Sequence, residues 1–268
     1  MRSVDLLGST TSVPRHEAER LLVVATGLSR SNLLIGVEVS DANIELYREL
    51  LVRRLADEPL QYIEGSVPFG PIEVAVDPRV LIPRPETEYM FDLVVRHIDE
   101  PSIIVDLCTG SGNLAIALKR TFPDATVYAT ELSPEAAAVA RSNADKNDAD
   151  ILVLEGDLFS PLPVAVRGSI DLLVANPPYL AEVELEQVPA DVRMEPHAAL
   201  VSGPRGDEIV LAIAAQLEGW LSSEGLFALE VSEFHASSIL KRFQHLDAVA
   251  VADLTGRDRF VMSRALVD

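Results

Sequence analysis

The sequence predicts an α/β fold built on a mostly parallel sheet, with a small helical region and a hairpin ahead of it. Three observations carry that expectation. From position 103 onward, short apolar runs alternate with helical segments of roughly 10 to 15 residues, the rhythm of βαβ units. The runs are continuously apolar, as strands are when helices cover both faces of a sheet. The 268 residues amount to about 1.8 times the customary 150 of one domain, enough for a large core and an attachment.

Before position 60 the pattern is helical. Ala18, Leu21, Leu22, Ala25 and Leu28 recur at helical spacing, and Gly27 is placed to end that helix. Ser40 is a candidate cap for a second helix carrying Ile44, Tyr47, Leu51 and Leu55, which Glu58-Pro59 closes. The first dozen residues are short and polar, with no apolar stripe of their own. Ile72, Val74 and Val76 alternate with Glu73, Ala75 and Asp77, predicting a half-buried strand in a hairpin that turns near Phe69-Gly70-Pro71. Ile82-Pro83-Arg84-Pro85-Glu86 leads into a helix ending near Ile98, with Pro85 suited to its first turn. Strands of the sheet are expected at 103–107, 126–130, 151–154, 170–175 and 226–231. Two further β-like runs, 248–254 and 259–265, flank Gly256 as an antiparallel hairpin would. The expected organisation is a helical region at 1–60, a hairpin and linker at 61–84, and an α/β core at 85–268.

Composition narrows the function. Acidic side chains number 42 and basic ones 22, a net charge of -20, in a chain that is 48% hydrophobic. That hydrophobic fraction argues against disorder. A polyanion held by charge alone is disfavoured, because phosphate binding needs Lys and Arg to displace counterions. The single cysteine, Cys108, leaves no disulfide framework and no cysteine-cluster zinc site. His16, His97, His197, His235 and His245 show no metal-ligand spacing, so no metal is expected. No apolar run resembles a signal peptide, and none approaches the roughly 18 to 20 residues of a membrane span. A cytoplasmic location is the expectation.

Three constellations carry chemistry. The first is Asp106-Leu107-Cys108-Thr109-Gly110-Ser111-Gly112, between the first strand of the sheet and a helix. Glycines there permit a tight turn and close approach of a ligand to the free amides of the helix start. Gly110, Gly112 and Ala115 also satisfy a dinucleotide fingerprint, and Glu131 ends the next strand, where an acid grips ribose hydroxyls in either cofactor class. A tight turn that binds nothing is the bland alternative. The second constellation is Gly156-Asp157-Leu158-Phe159, after the third strand: an acid to accept from an exocyclic amine, with apolar neighbours for a flat base. An exposed Asp capping the next turn explains it equally well. The third is Asn176-Pro177-Pro178-Tyr179, after the fourth strand. Two prolines hold an extended backbone, so that the Asn176 side-chain oxygen and the Pro177 carbonyl can accept both N–H groups of a planar NH₂ while Tyr179 packs against it. A proline turn with a buried Tyr is the alternative for the tetrapeptide taken alone.

With these motifs the chain resembles the Rossmann-like S-adenosylmethionine-dependent methyltransferases that act on amino groups. Within them it resembles the protein-(glutamine-N5) methyltransferases that modify peptide chain release factors. The resemblance spans nearly the whole chain. It includes Arg53-Arg54 with Glu58-Pro59-Leu60-Gln61-Tyr62, Leu81 to Glu88, Asp191-Val192-Arg193 with Glu195-Pro196 and Ala199-Leu200, and Asp253-Leu254 with Gly256-Arg257-Asp258-Arg259. It implies a seven-stranded core and S-adenosyl-L-methionine cradled by Cys108, Thr109, Gly110, Ser111 and Gly112. Glu131 would take the ribose, Asp157 and Leu158 would lie at the adenine, and Asn176 would lie near the methionine part. Asn176, Pro177, Pro178 and Tyr179 would hold the glutamine amide of a Gly-Gly-Gln loop, with Asn176, Pro177 and Tyr179 carrying the catalysis. The stretch from Arg84 to Glu86 would border the site, and the N-terminal helices would help hold the partner protein. In-line transfer to an amide nitrogen positioned by two acceptors then needs no protein nucleophile and no assigned general base.

Some positions depart from the family pattern: Cys108 stands where glycine is usual, His235 where Gln is common, Ser202-Gly203-Pro204-Arg205-Gly206 replaces a glycine-rich run, and the first dozen residues are too short and polar to supply the family's opening helix. These bear on the acceptor, so another glutamine, a small amide or amine, or adenine N6 in nucleic acid is the alternative substrate. The net charge disfavours nucleic acid. A cofactor-binding protein without catalysis is disfavoured by the intact Asn176, and a dehydrogenase by the want of a hydride-transfer acid or base. Glu182, Glu184, Glu186, Asp191 and Glu195 follow the tetrapeptide and suggest either a solvated face or one that attracts a basic protein domain. A monomer is expected.

Overall fold

Helical periodicity in the first 60 residues becomes four helices and part of a fifth: α1 (Ser3–Ser9), α2 (Arg15–Thr26), α3 (Arg30–Leu34), α4 (Asp41–Leu55) and α5 (Leu60–Glu64). Gly27 ends α2 in the left-handed region at φ 68°, its N–H returning to the Val23 carbonyl. Ser40 caps α4, its Oγ accepting from the Asn43 N–H at 3.2 Å. Ala18, Leu21, Leu22, Ala25, Ile44 and Tyr47 form the buried core of these helices, as their spacing predicts.

Two expectations fail here. The opening residues do form a helix, α1, whose Leu6 and Leu7 are buried while Ser3 Oγ donates to the Leu33 carbonyl at 2.6 Å. Two leucines and a docked first turn replace the longer apolar stripe that periodicity looks for. In α4, Leu50 is buried and Leu55 exposed, because the helix stops at Leu55 and Asp57 turns the chain at φ 63°.

The computed structural model describes residues 1–267, in two units: Met1–Ser66 with Pro189–Met194, and Val67–Val188 with the chain from Glu195 onward. In the first unit Glu19 is buried and bonded by Arg15 at 2.8 Å and Arg30 at 2.7 Å. Those guanidinium groups hold its carboxyl below the ordinary range. Arg54 binds Glu17 at 2.7 and 3.1 Å and lies 3.8 Å from Asp191, which helps explain why 189–194 groups with the helices.

The second unit begins with the hairpin of β1 (Ser66–Phe69) and β2 (Ile72–Ala75), turning at Gly70-Pro71. The sheet follows: β3 (Ile103–Leu107), β4 (Thr126–Glu131), β5 (Ile151–Glu155), β6 (Ile170–Ala175), then β9 (Leu221–Glu230), β10 (Ala248–Ala252) and β11 (Asp258–Ser263). Its order is β10-β11-β9-β6-β3-β4-β5, parallel except where β11 pairs with β9 and β10. Between them run α6 (Pro85–His97), α7 (Asn113–Thr121), α8 (Pro134–Lys146), α9 (His197–Leu200), α10 (Glu208–Ala214) and α11 (Ala236–Phe243). Pro85 opens α6, and Ser133 caps α8 ahead of Pro134. Val105, Leu107, Leu173, Phe227, Leu229 and Val261 pack the core of the sheet with residues of α10 and α11.

The chain starts the sheet in its middle at β3, builds outward to β5, and returns to the other side at β6. Strand order therefore reverses between β3 and β6, and a crevice for a ligand opens at the carboxyl ends beside that reversal. Two features of this unit were not expected. β9 starts at Leu221, five residues early, because its first half is polar and its pairing with β6 is irregular near Ile170. A small parallel ladder joins β7 (Leu180–Ala181) to β8 (Val201–Gly203), too short to register as a periodicity. Among the described residues no helix is long and apolar enough to cross a membrane.

Candidate active site

Beyond β3 the chain turns through three residues of positive φ: Cys108 at 59°, Gly110 at 56° and Gly112 at 83°. Gly112 is required on two counts. Its φ is left-handed, and a Cβ there would lie 3.0 Å from Ile116 Cδ1 and 3.3 Å from Ala140 Cβ, where α7 and α8 approach. Cys108 departs from glycine yet keeps the backbone conformation that glycine suits.

Asp106, buried at the end of β3, ties the loop down. Its Oδ2 accepts from Thr109 Oγ1 at 2.5 Å and from the Ala115 N–H at 3.2 Å. Burial pushes its pKa up to about 7, against those two hydrogen bonds, and the charge of Glu131 adds to the rise. Asn143 of α8 braces the loop from another side, donating to the Ser111 carbonyl at 2.9 Å while exchanging hydrogen bonds with Ala75 of β2.

Glu131, the last residue of β4, faces the loop. Its Oε2 accepts from the Gly110 N–H and its Oε1 from the Ser133 N–H, both at 2.9 Å. Both oxygens are anchored by backbone, and each retains a lone pair for a hydroxyl.

These residues surround a cavity of about 300 Å³ at the carboxyl ends of β3 to β6, at the lower end of the range for small-molecule sites, roughly 300–1,000 Å³. Cys108, Gly110, Glu131, Asp157, Leu158, Asn176 and Pro178 line it together. Thr109 and Ser111 line a smaller recess beside it, with Thr87 and Asn176. Gly112, Pro177 and Tyr179 line neither. Gly112 sits at the start of α7, Pro177 is buried, and the Tyr179 ring lies under the Arg259 guanidinium, 5.7 Å from centroid to Cζ. Burial pushes the Tyr179 phenol upward, Glu230 adding and Arg259 opposing.

The cavity also has walls outside the three constellations: Arg79, Val80 and Leu81 after the hairpin, Leu132 beyond Glu131, and Pro196, Ala198 and Ala199, of which Leu81, Pro196 and Ala199 belong to segments that carry the family resemblance. An apolar Leu beside an acid and an Ala pair near a proline leave no periodic signal. Of the expected Arg84-to-Glu86 border, the flanking Pro83 and Thr87 reach the smaller recess.

Asn176 follows β6 and is oriented from behind. Its Nδ2 donates to Thr87 Oγ1 at 2.9 Å, and Thr87 donates to Glu230 Oε2 at 2.7 Å. Asn176 Oδ1 is buried and has no hydrogen-bond partner. Buried polar atoms are otherwise paired, so an unpartnered acceptor on a residue that lines a ligand-sized cavity points to a donor on the ligand. Glu230, 1% exposed, has its pKa pushed up to about 7 by burial, Thr87, Arg259 and Arg84 opposing and Glu86 adding.

The run of five acids does not form one surface. Glu195 is buried, bonded to Arg84 and accepting from the Ile82 N–H at 2.9 Å. Glu184 turns onto the Ala181 N–H at 2.7 Å, and Asp191 groups with the helical unit. Glu182, paired with His197 at 3.2 Å, and Glu186 are the exposed ones. Among the described residues no cluster of His, Cys, Asp and Glu is arranged to hold a metal ion.

Comparison with known proteins places this arrangement. Residues 4–65 match the family described as PrmC N-terminal domain and residues 89–203 the one described as Methyltransferase small domain. A release factor glutamine methyltransferase of Mycolicibacterium smegmatis is 36% identical, over 96% of this chain and 92% of its own. One of Corynebacterium glutamicum is 38% identical, over 91% and 90%. Among solved structures, a methyltransferase of Pyrococcus furiosus shares the fold with a TM-score of 0.53 at 19% identity, over 71% of this chain and 87% of that one. Identity at this level across nearly the full length of both chains leads to one conclusion: the chain belongs to the release factor glutamine methyltransferase family.

Proposed function

We propose that this chain uses S-adenosyl-L-methionine to methylate N5 of a glutamine side chain in a protein, the Gly-Gly-Gln glutamine of peptide chain release factors. The observation that carries the reading is the buried, unpartnered Oδ1 of Asn176, an acceptor suited to one N–H of a primary amide, on a residue that lines the cavity. Family membership supplies the acceptor class, and the net charge of -20 disfavours bare nucleic acid.

The residues present fit the cofactor. The loop from Cys108 to Gly112 cradles it, the anchored Glu131 carboxylate takes the ribose hydroxyls, and Asp157 and Leu158 receive the adenine. S-adenosyl-L-methionine supplies a methyl group on a sulfonium, an electrophile that needs only a placed nucleophile. Asn176 Oδ1 and the Pro177 carbonyl each take one N–H of the glutamine amide, which polarises the nitrogen and fixes the amide plane so that the lone pair perpendicular to it is presented to the cofactor side. Pro177 and Pro178 keep that backbone rigid, and the Tyr179 ring, outside the cavity lining, braces it beneath Arg259. Methylation leaves the nitrogen with a surplus proton, which passes to solvent, so no buried base is required. The reading places the enzyme in the cytoplasm, where release factors act, and takes it as a monomer. The N-terminal helices help hold the partner protein.

The test is transfer of labelled methyl from S-adenosylmethionine to a release factor and to its variant lacking the loop glutamine. Label confined to the glutamine-containing protein, and lost with Asn176→Ala, is the expected result. Label that survives removal of the glutamine refutes the reading.

A further inference from the structure

We propose that Thr87 and Glu230 form a positioning relay that sets which end of the Asn176 amide faces the substrate, and thereby select acceptors that present N–H over those that present oxygen. The inference rests on the methyl-transfer reading above and adds to it the source of its selectivity.

An Asn side chain is nearly symmetric in shape, so packing alone does not decide which end points where. Here a chain of hydrogen bonds does. Thr87, in the first turn of α6, and Glu230, at the carboxyl end of β9, are each 1% exposed. The single hydroxyl proton of Thr87 goes to Glu230 Oε2 at 2.7 Å. Its oxygen is left with lone pairs only, so its other neighbour must be a donor. Asn176 Nδ2 fills that place at 2.9 Å, which leaves Oδ1, at the other end of the amide, buried without a partner. Rotating the amide by half a turn would set oxygen against oxygen at Thr87.

Charges on three elements bear on Glu230: Arg84 just before α6 and Arg259 of β11 favour the carboxylate, and Glu86 of α6 opposes it. Burial works against ionisation and pushes the pKa up to about 7; above that pH Glu230 is a carboxylate that can only accept, the direction of the relay is unambiguous, and the assays are run there. Neither Thr87 nor Glu230 lines the larger cavity, and Thr87 reaches only the smaller recess behind Asn176, so both act on the substrate through Asn176.

The experiment uses the full-length enzyme and two peptides carrying the release-factor loop, one with its glutamine and one with glutamate in that place. Thr87→Val, close in shape but unable to bond, frees the amide to rotate. Thr87→Ser retains the relay. The expected result for Thr87→Val is a fall in kcat on the glutamine peptide of roughly tenfold or more, with S-adenosylmethionine affinity unchanged and Thr87→Ser close to wild type. The glutamate peptide, repelled by Oδ1 in the wild type, becomes a better inhibitor of Thr87→Val, because Nδ2 can now face it. A role confined to packing would not move that preference. Where the unpaired Glu230 prevents folding of the single variant, Thr87→Val with Glu230→Gln removes the buried charge and reads the same quantities. The relay is overturned when a folded Thr87→Val enzyme keeps wild-type kcat, when Thr87→Ser loses as much, or when the relative affinity for the two peptides does not change. A wild-type enzyme that methylates no glutamine refutes the proposed function instead, and is recognised before any variant is made.

Discussion

Glu131 holds the loop it faces: its Oε2 accepts from the Gly110 N–H at 2.9 Å. The same carboxylate accepts from Ser133 through its other oxygen, so a side chain that lines the cavity also fixes the backbone opposite. If Glu131 takes the ribose as proposed, binding and preorganisation are joined in one group.

Glu131→Gln separates them. The amide keeps one acceptor but turns its NH₂ against a backbone N–H, so one of the two anchors is lost. A hydrogen bond to a charged group contributes about 1.5–3 kcal/mol, and calorimetric titration should find S-adenosylmethionine bound roughly 10- to 100-fold more weakly. Amide exchange should quicken at Gly110. Unchanged affinity would show that Glu131 serves the loop alone.

Cys108→Gly tests the backbone at the other side of the loop. A residue bearing Cβ at φ 59° is strained by roughly 1–2 kcal/mol, and glycine removes that strain while giving back about 0.5–1 kcal/mol of chain entropy. The variant should melt a few degrees higher, at about 2–4 °C per kcal/mol for a unit of this size. In the wild type, burial and then the charges of Glu131, Asp106 and Asp157 push the thiol pKa up. Cys108 should therefore react slowly with iodoacetamide at neutral pH, and rapid labelling would contradict that environment.

The sheet and the three motif loops were legible because each is local: apolar runs mark β3 to β6, and the loops follow them directly. What was not legible depends on residues far apart. Thr87 and Glu230 are 143 positions apart and meet only because α6 packs near the carboxyl end of β9. Glu195 reads as one more surface acid until the fold sets it, buried, against Arg84 and Ile82. Tyr179 was expected in the site on chemical grounds, but its ring is placed by Arg259 from the last strand. Helix α1 escaped for a different reason, its stability resting on contacts with Leu33 and Val37, not on its own seven residues.

Asp106 makes stability depend on pH in a direction that is unusual for a carboxyl group. Its ordinary pKa of 3.8 rises to about 7 in the folded chain, chiefly through burial. Between those values the folded state holds a proton that the unfolded state has released, so stability is complete below about pH 4 and declines as pH rises toward 7. Glu230, also raised to about 7, acts in the same sense from about pH 4.5. At about 1.4 kcal/mol per pH unit, Asp106 alone accounts for at most about 4 kcal/mol. Asp106→Asn keeps an oxygen for Thr109 and Ala115 and cannot ionise. Thermal melts from pH 4 to pH 8 should show the wild type losing stability across this window, and the variant losing less, with the two closest at the acid end. A variant whose melting temperature follows the wild type in parallel would mean that Asp106 is ionised in the folded chain throughout, with its charge balanced inside the loop.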